Sequence, residues 1–91
     1  MELKWTSKAL SDLVRLYDFL VPVNKQAAAR IVQSLTAAPA RLREYPRIGE
    51  KLEEFEPREV RRIVVNHCEM RYEIREYKIY VLCIWHTRRE R

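Results

Sequence analysis

Pro57 separates two halves of this chain that differ in hydrophobic period, and no other feature limits the possible fold so sharply. Before it, apolar residues recur every three or four positions: Ala9, Leu13, Leu16 and Leu20 in one run, then Ala28, Ile31, Leu35, Ala38 and Leu42 in another. That is the spacing of one face of a helix. After it the period is two. In "CEMRYEIR", Met70, Tyr72 and Ile74 alternate with Glu69, Arg71, Glu73 and Arg75, which predicts a strand with one apolar and one polar face. Helices first and strands last make an α+β domain, because each kind of element must bury its apolar side against the other.

The residues between these runs set the boundaries. "ELKW" is a short strand candidate, and Thr6 or Ser7 can cap the helix that follows. On that helix Ser11, Asp12, Arg15 and Asp18 are expected on the outer surface. Pro22 stops it and Asn24 can cap the next, so two helices joined by a few residues should pack as an antiparallel hairpin. Pro39 is expected to kink or divide the second helix. "YPRIGE" reads as a turn and residues 50–57 as an acidic connecting loop. "REVRRIVV" is a strand, and "EYK" a tight turn although it lacks the usual glycine or asparagine. "KIYVLCIWH" is apolar on both sides, with Ile79, Val81, Cys83 and Trp85 on one and Tyr80, Leu82 and Ile84 on the other. Such a strand belongs at the centre of a sheet. The expected order is β-α-α-β-β-β: an N-terminal strand and a helical hairpin packed on a mainly antiparallel sheet, one domain over residues 1–91.

Composition narrows the functions. Residues 1–57 hold 9 Lys and Arg against 8 Asp and Glu, whereas residues 58–91 hold 9 against 5, so the net charge of +5 is concentrated in the last third. A basic segment of this kind suits an acidic partner, such as nucleic acid or an acidic protein, or else serves only solubility. The single glycine rules out a glycine-rich phosphate loop. Cys68 and Cys83, in apolar runs, read as buried hydrophobes of a reducing compartment. With His67 and His86 they lack the spacing of a zinc site, and neither metal nor cofactor is expected. No apolar run of eighteen residues and no leader peptide is visible, so no membrane is expected and the location is expected to be cytoplasmic.

The order of "KWTSKALSDLVRLYDFL", "LREYPRIGEKLEEF" and "VRRIVV…EMRYEI…IYVLCIWHTRRER" resembles the RelE/ParE superfamily of bacterial type II toxins over nearly the whole chain. The resemblance implies two N-terminal helices over a curved antiparallel sheet. It also implies a cognate antitoxin as partner, in a joint oligomer. The superfamily divides by target. ParE-like members resemble poisons of DNA gyrase. RelE-like members resemble mRNA endonucleases that work on the ribosome. The closing "WHTRRER" is similar to the ParE-type ending, and the paired lysines of RelE-like nucleases are missing between residues 50 and 65, where Lys51 stands among glutamates. Inhibition of gyrase is the leading expectation, with the RelE-like nuclease and a non-catalytic nucleic-acid-binding module as alternatives.

The candidate residues follow from those readings. A nuclease would need a proton acceptor and cations around one phosphate, for which His86, Arg61 and Arg71 are the candidates. His86 is otherwise a strand-end histidine bonded to backbone or carboxylate. For contact with the target the candidates are Arg62, Arg88, Arg89 and Arg91, since a guanidinium can grip phosphate or carboxylate through two donors. Alternation puts Arg61 and Arg62 on opposite faces, so only one of them can join Arg71. The alternative for these arginines is cross-strand pairing with Glu69 or Glu73. Trp5 and Trp85 are expected to fill core or interface.

Overall fold

A computed structural model describes residues 1–88. Strand β1 (Glu2–Trp5) leads into helices α1 (Ser7–Leu20), α2 (Lys25–Ala37) and α3 (Pro39–Glu44). A two-residue strand β2 (Glu50–Lys51) and one 3₁₀ turn (Glu53–Phe55) precede β3 (Glu59–Val65), β4 (Cys68–Arg75) and β5 (Lys78–His86). The sheet order is β1-β5-β4-β3-β2, antiparallel except for the parallel β1–β5 pair. The expected α+β order is present, with two refinements. Pro39 divides the second helix, taking the first turn of α3, where a missing N–H costs nothing. The acidic stretch is partly regular, because β2 and the 3₁₀ turn pin it to the edge of β3.

The caps are those the sequence offers. The Thr6 hydroxyl accepts a bond from Ala9 N–H at 3.2 Å and donates to Val81 O at 2.7 Å, so one side chain starts α1 and fastens it to β5. Asn24 Oδ1 accepts from Ala27 N–H at 3.0 Å and starts α2. The β3–β4 and β4–β5 hairpins turn through Asn66–His67 and Glu76–Tyr77, all four at positive φ, the primed turn that matches strand twist. "EYK" thus adopts this turn without the residues that favour it.

The helices cover one face of the sheet. Ala9, Leu16 and Leu20 of α1 and Ala28 and Leu35 of α2 pack on Cys68, Met70, Val81 and Ile84. A second cluster joins Leu42 of α3 to Tyr72, Ile74 and Ile79. Two expectations about faces are corrected. Asp12, expected outside, is 5% exposed. It is held inside by Lys8 at 2.9 Å, Arg15 at 3.2 Å and the Ile84 N–H at 3.0 Å. The polar side of β4 is not solvated either, since Glu69 and Glu73 are buried beneath arginines.

The third correction concerns β5. Arg71 pairs with Cys83 while Tyr72 pairs with Val81, so Leu82 is an extra residue, a bulge. It reverses the alternation. Ile79 and Val81 face the helices before it, and Ile84 and His86 face them after it. Cys83 and Trp85 therefore do not share a side with Ile79 and Val81 but lie on the opposite, open face.

Candidate functional site

The open face carries an arginine–carboxylate lattice built on β3 and β4. Arg62 and Arg71 stand directly opposite each other, and both bind Glu69, at 3.1 Å and 3.0 Å. Arg62 also reaches Glu50 at 2.8 Å. Arg58 holds Glu73 through two bonds of 3.1 Å and 2.9 Å. The Arg71 guanidinium lies 4.7 Å from the centre of the Trp85 ring and 5.6 Å from that of Phe55, a cation–π stack that only the bulge allows. Arg75 covers Tyr80 in the same way at 4.5 Å. These bonds set the charges: the Arg58 hydrogen bonds hold the Glu73 carboxyl below the usual range against its burial. Glu50 and Glu69 raise the already high Arg62 value. Arg62 and Arg71 are thus brought together, each already bound to carboxylate.

Arg61 is on the other face. Its register partner is Tyr72, and it binds Glu59 at 2.9 Å and the Gly49 carbonyl at 2.8 Å. It buttresses the turn before β2. His86 also faces the helix side, paired across the ladder with Cys68 and 7% exposed. The set His86, Arg61 and Arg71 is not brought together: Arg71 projects from the opposite face, and Arg61 lies on β3, two strands from His86.

The end of β5 is clamped. Both the amide and the hydroxyl of Thr87 donate to His67 O, at 2.8 Å and 2.9 Å, and Arg88 N–H donates to His86 Nδ1 at 3.3 Å. Arg88 leaves this clamp exposed to solvent. Arg89 and Arg91 lie outside the described residues.

Some residues of the arrangement were beyond sequence reasoning. Nothing in the alternation of β5 announces the bulge, so the place of Trp85 under Arg71 had no signal. Asp12 had one in retrospect, with cations four residues before it and three after, but that pattern is ordinary on exposed helices too. Among the described residues no group of three metal-ligating side chains occurs, and no helix is long and apolar enough to cross a membrane.

A hairpin of helices over a five-stranded sheet, with its last strand running into basic residues, matches known proteins. The family model for the ParE toxin of the type II toxin–antitoxin system parDE fits residues 3–91. The chain belongs to the ParE toxin family. A solved structure of the chromosomal ParDE toxin–antitoxin system from P. aeruginosa is similar, with 26% identity and a TM-score of 0.76 over 94% of this chain and 95% of that one. A search of curated proteins gave no match. The ParE branch of the resemblance is borne out, and with it the reading of this chain as a type II toxin.

Proposed function

We propose that this ParE-family toxin inhibits DNA gyrase, that a cognate antitoxin neutralises it in a joint complex, and that it works in the bacterial cytoplasm. Membership of the ParE family along residues 3–91 carries the reading. The geometry supports it over the nuclease alternative. A base and cations that cleave RNA must converge on one phosphate within hydrogen-bond reach, whereas His86 and Arg71 project from opposite faces and Arg62 and Arg71 are occupied by Glu69. The clamped strand end supports a role for the tail. Cations that leave a fixed root lose less freedom on binding than cations on a loose chain.

The test is a plasmid supercoiling assay with purified gyrase, run beside an mRNA cleavage assay on translating ribosomes. Loss of supercoiling, reversed by the antitoxin and abolished in an Arg88→Ala/Arg89→Ala variant that melts like the parent, is the expected result. Unimpaired gyrase together with cut mRNA would overturn the proposal.

A further inference from the structure

A second basic site lies on the helix side of the molecule, where α2 approaches the β3–β4 turn. One stripe of α2, Ala27, Arg30, Ile31 and Ser34, faces Asn66, His67 and His86 across a cleft of about 420 Å³. That volume is within the ~300–1,000 Å³ typical of small-ligand pockets. Its lining carries a guanidinium, two imidazoles whose centres lie 6.3 Å apart, a hydroxyl and an amide, and no carboxylate. This separates it from arginines of β3, β4 and the segment before them. Arg58, Arg61, Arg62 and Arg71 each bind a glutamate. Arg30 is exposed, and among the described residues no ion pair engages it.

We propose that this cleft binds a backbone phosphate of nucleic acid. Its donor side chains stand on two elements, Arg30 and Ser34 on α2 and Asn66 and His67 in the turn, on opposite sides of the cleft. A tetrahedral phosphate offers oxygens in several directions, while a planar carboxylate is satisfied by one guanidinium fork. Exposed Arg88 adds a further cation at its edge. Thr87 is bonded to the His67 carbonyl and Arg88 to His86, so the chain leaves β5 at the rim of the cleft, and Arg89 and Arg91 follow in sequence. A repeating polyanion suits such a pair, since Arg30 in the pocket and Arg88 at its rim can each meet a phosphate of one backbone. This inference does not depend on gyrase being the target.

The test is fluorescence anisotropy of a labelled 20-base-pair duplex with the full chain, across a range of salt. Arg30→Ala should weaken binding about tenfold and reduce the slope of log affinity against log salt by about one, the loss of one phosphate contact. His67→Ala should weaken it severalfold, Arg30→Lys should restore most of the affinity, and Arg43→Ala, an equal loss of charge on α3, should change it less than twofold. Arg30 is exposed, so melting curves of its variants should match the parent, with Arg30→Gln repeating the test if Arg30→Ala does not. His67 is exposed but at positive φ, so His67→Gly, which suits the turn, repeats the test if His67→Ala melts lower. Equal losses for Arg30→Ala and Arg43→Ala would reduce the effect to diffuse charge and overturn the proposal. So would polyglutamate displacing the duplex at lower charge concentration than unlabelled DNA, which would point to an acidic protein instead. Supercoiling inhibition kept by Arg30→Ala, with duplex affinity lost, would leave the gyrase reading standing by itself.

Discussion

Replacing the one glycine with alanine should cost more stability than any other single-methyl change in this chain. A Cβ at Gly49 would lie 2.6 Å from the Tyr72 hydroxyl, 2.7 Å from the Arg62 carbonyl oxygen and 3.0 Å from Tyr72 Cε1. Neither neighbour can give way cheaply. The carbonyl is part of β3, where Arg62 pairs with Glu50. The hydroxyl of the fully buried Tyr72 accepts from Gly49 N–H at 3.0 Å and donates to Pro46 O at 2.8 Å. Overpacking typically costs about 1–3 kcal/mol, and disturbing the two bonds adds about 1 kcal/mol. A loss of about 3 kcal/mol is expected, and at roughly 4–8 °C per kcal/mol for a domain of this size the melting temperature should fall by about 12–24 °C. Urea unfolding followed by circular dichroism checks it, with a lower midpoint at unchanged slope. Tyr72→Phe removes one of the close contacts but not that with the carbonyl, so the Gly49→Ala/Tyr72→Phe double variant should lose at least about 1 kcal/mol less than the two single losses combined. A Gly49→Ala protein within about 1 kcal/mol of the parent would refute the steric argument.

Asp12→Ala should cost about 2–4 kcal/mol in the same urea assay, because it strands the buried Ile84 N–H and releases two cations. Acid should destabilise the fold in a defined window. Burial raises the Asp12 carboxyl, but bonds from Lys8, Ile84 N–H and Arg15 outweigh it and hold the value below the ordinary one; Arg58 lowers Glu73 likewise. Groups with depressed folded values contribute stability that is full above their unfolded values near 4 and lost as pH falls through the folded ones. Melting temperature should therefore drop steeply below about pH 4, and Glu73→Gln should flatten part of that drop. A saturating cognate antitoxin should raise the melting temperature, by about 4 kcal/mol of linkage at a thousandfold excess over Kd; an unchanged melting curve would count against the pairing.

The parts of the fold that were legible are those that local physics decides. Helix period, the caps at Thr6 and Asn24, and the change to period two at Pro57 depend on neighbours in sequence, and all of them reappear in the structure. Strand phase does not. The Leu82 bulge moves Cys83 and Trp85 to the open face, and it arises from how β5 fits β4, which no stretch of β5 alone encodes. The candidate site divides in the same way. That Arg61 and Arg62 face opposite sides follows from alternation, and Arg62 does join Arg71. That both would bind Glu69, and that His86 would face the helices, required the register across three strands.

The position of β5 also decides when this protein can start to work. It is the last described element in the chain, yet Glu2–Trp5 pair with its first half, the Thr6 hydroxyl and the Asp12 carboxylate bond to its backbone, and β4 lies along its whole length. A nascent chain lacking residues 78–86 leaves α1 and α2 without Val81 and Ile84 to pack on, and β1 cut off from β4 and the rest of the sheet. Contacts that link the first residues to the last form slowly, because a long loop must close before they give anything back. Synthesis from N to C terminus therefore makes the helices, β3 and β4 before the strand that joins β1 and α1 to them. Whatever the protein does to its target waits until residues 78–86 have been made, and a partner already present meets the chain before that strand has joined its two halves.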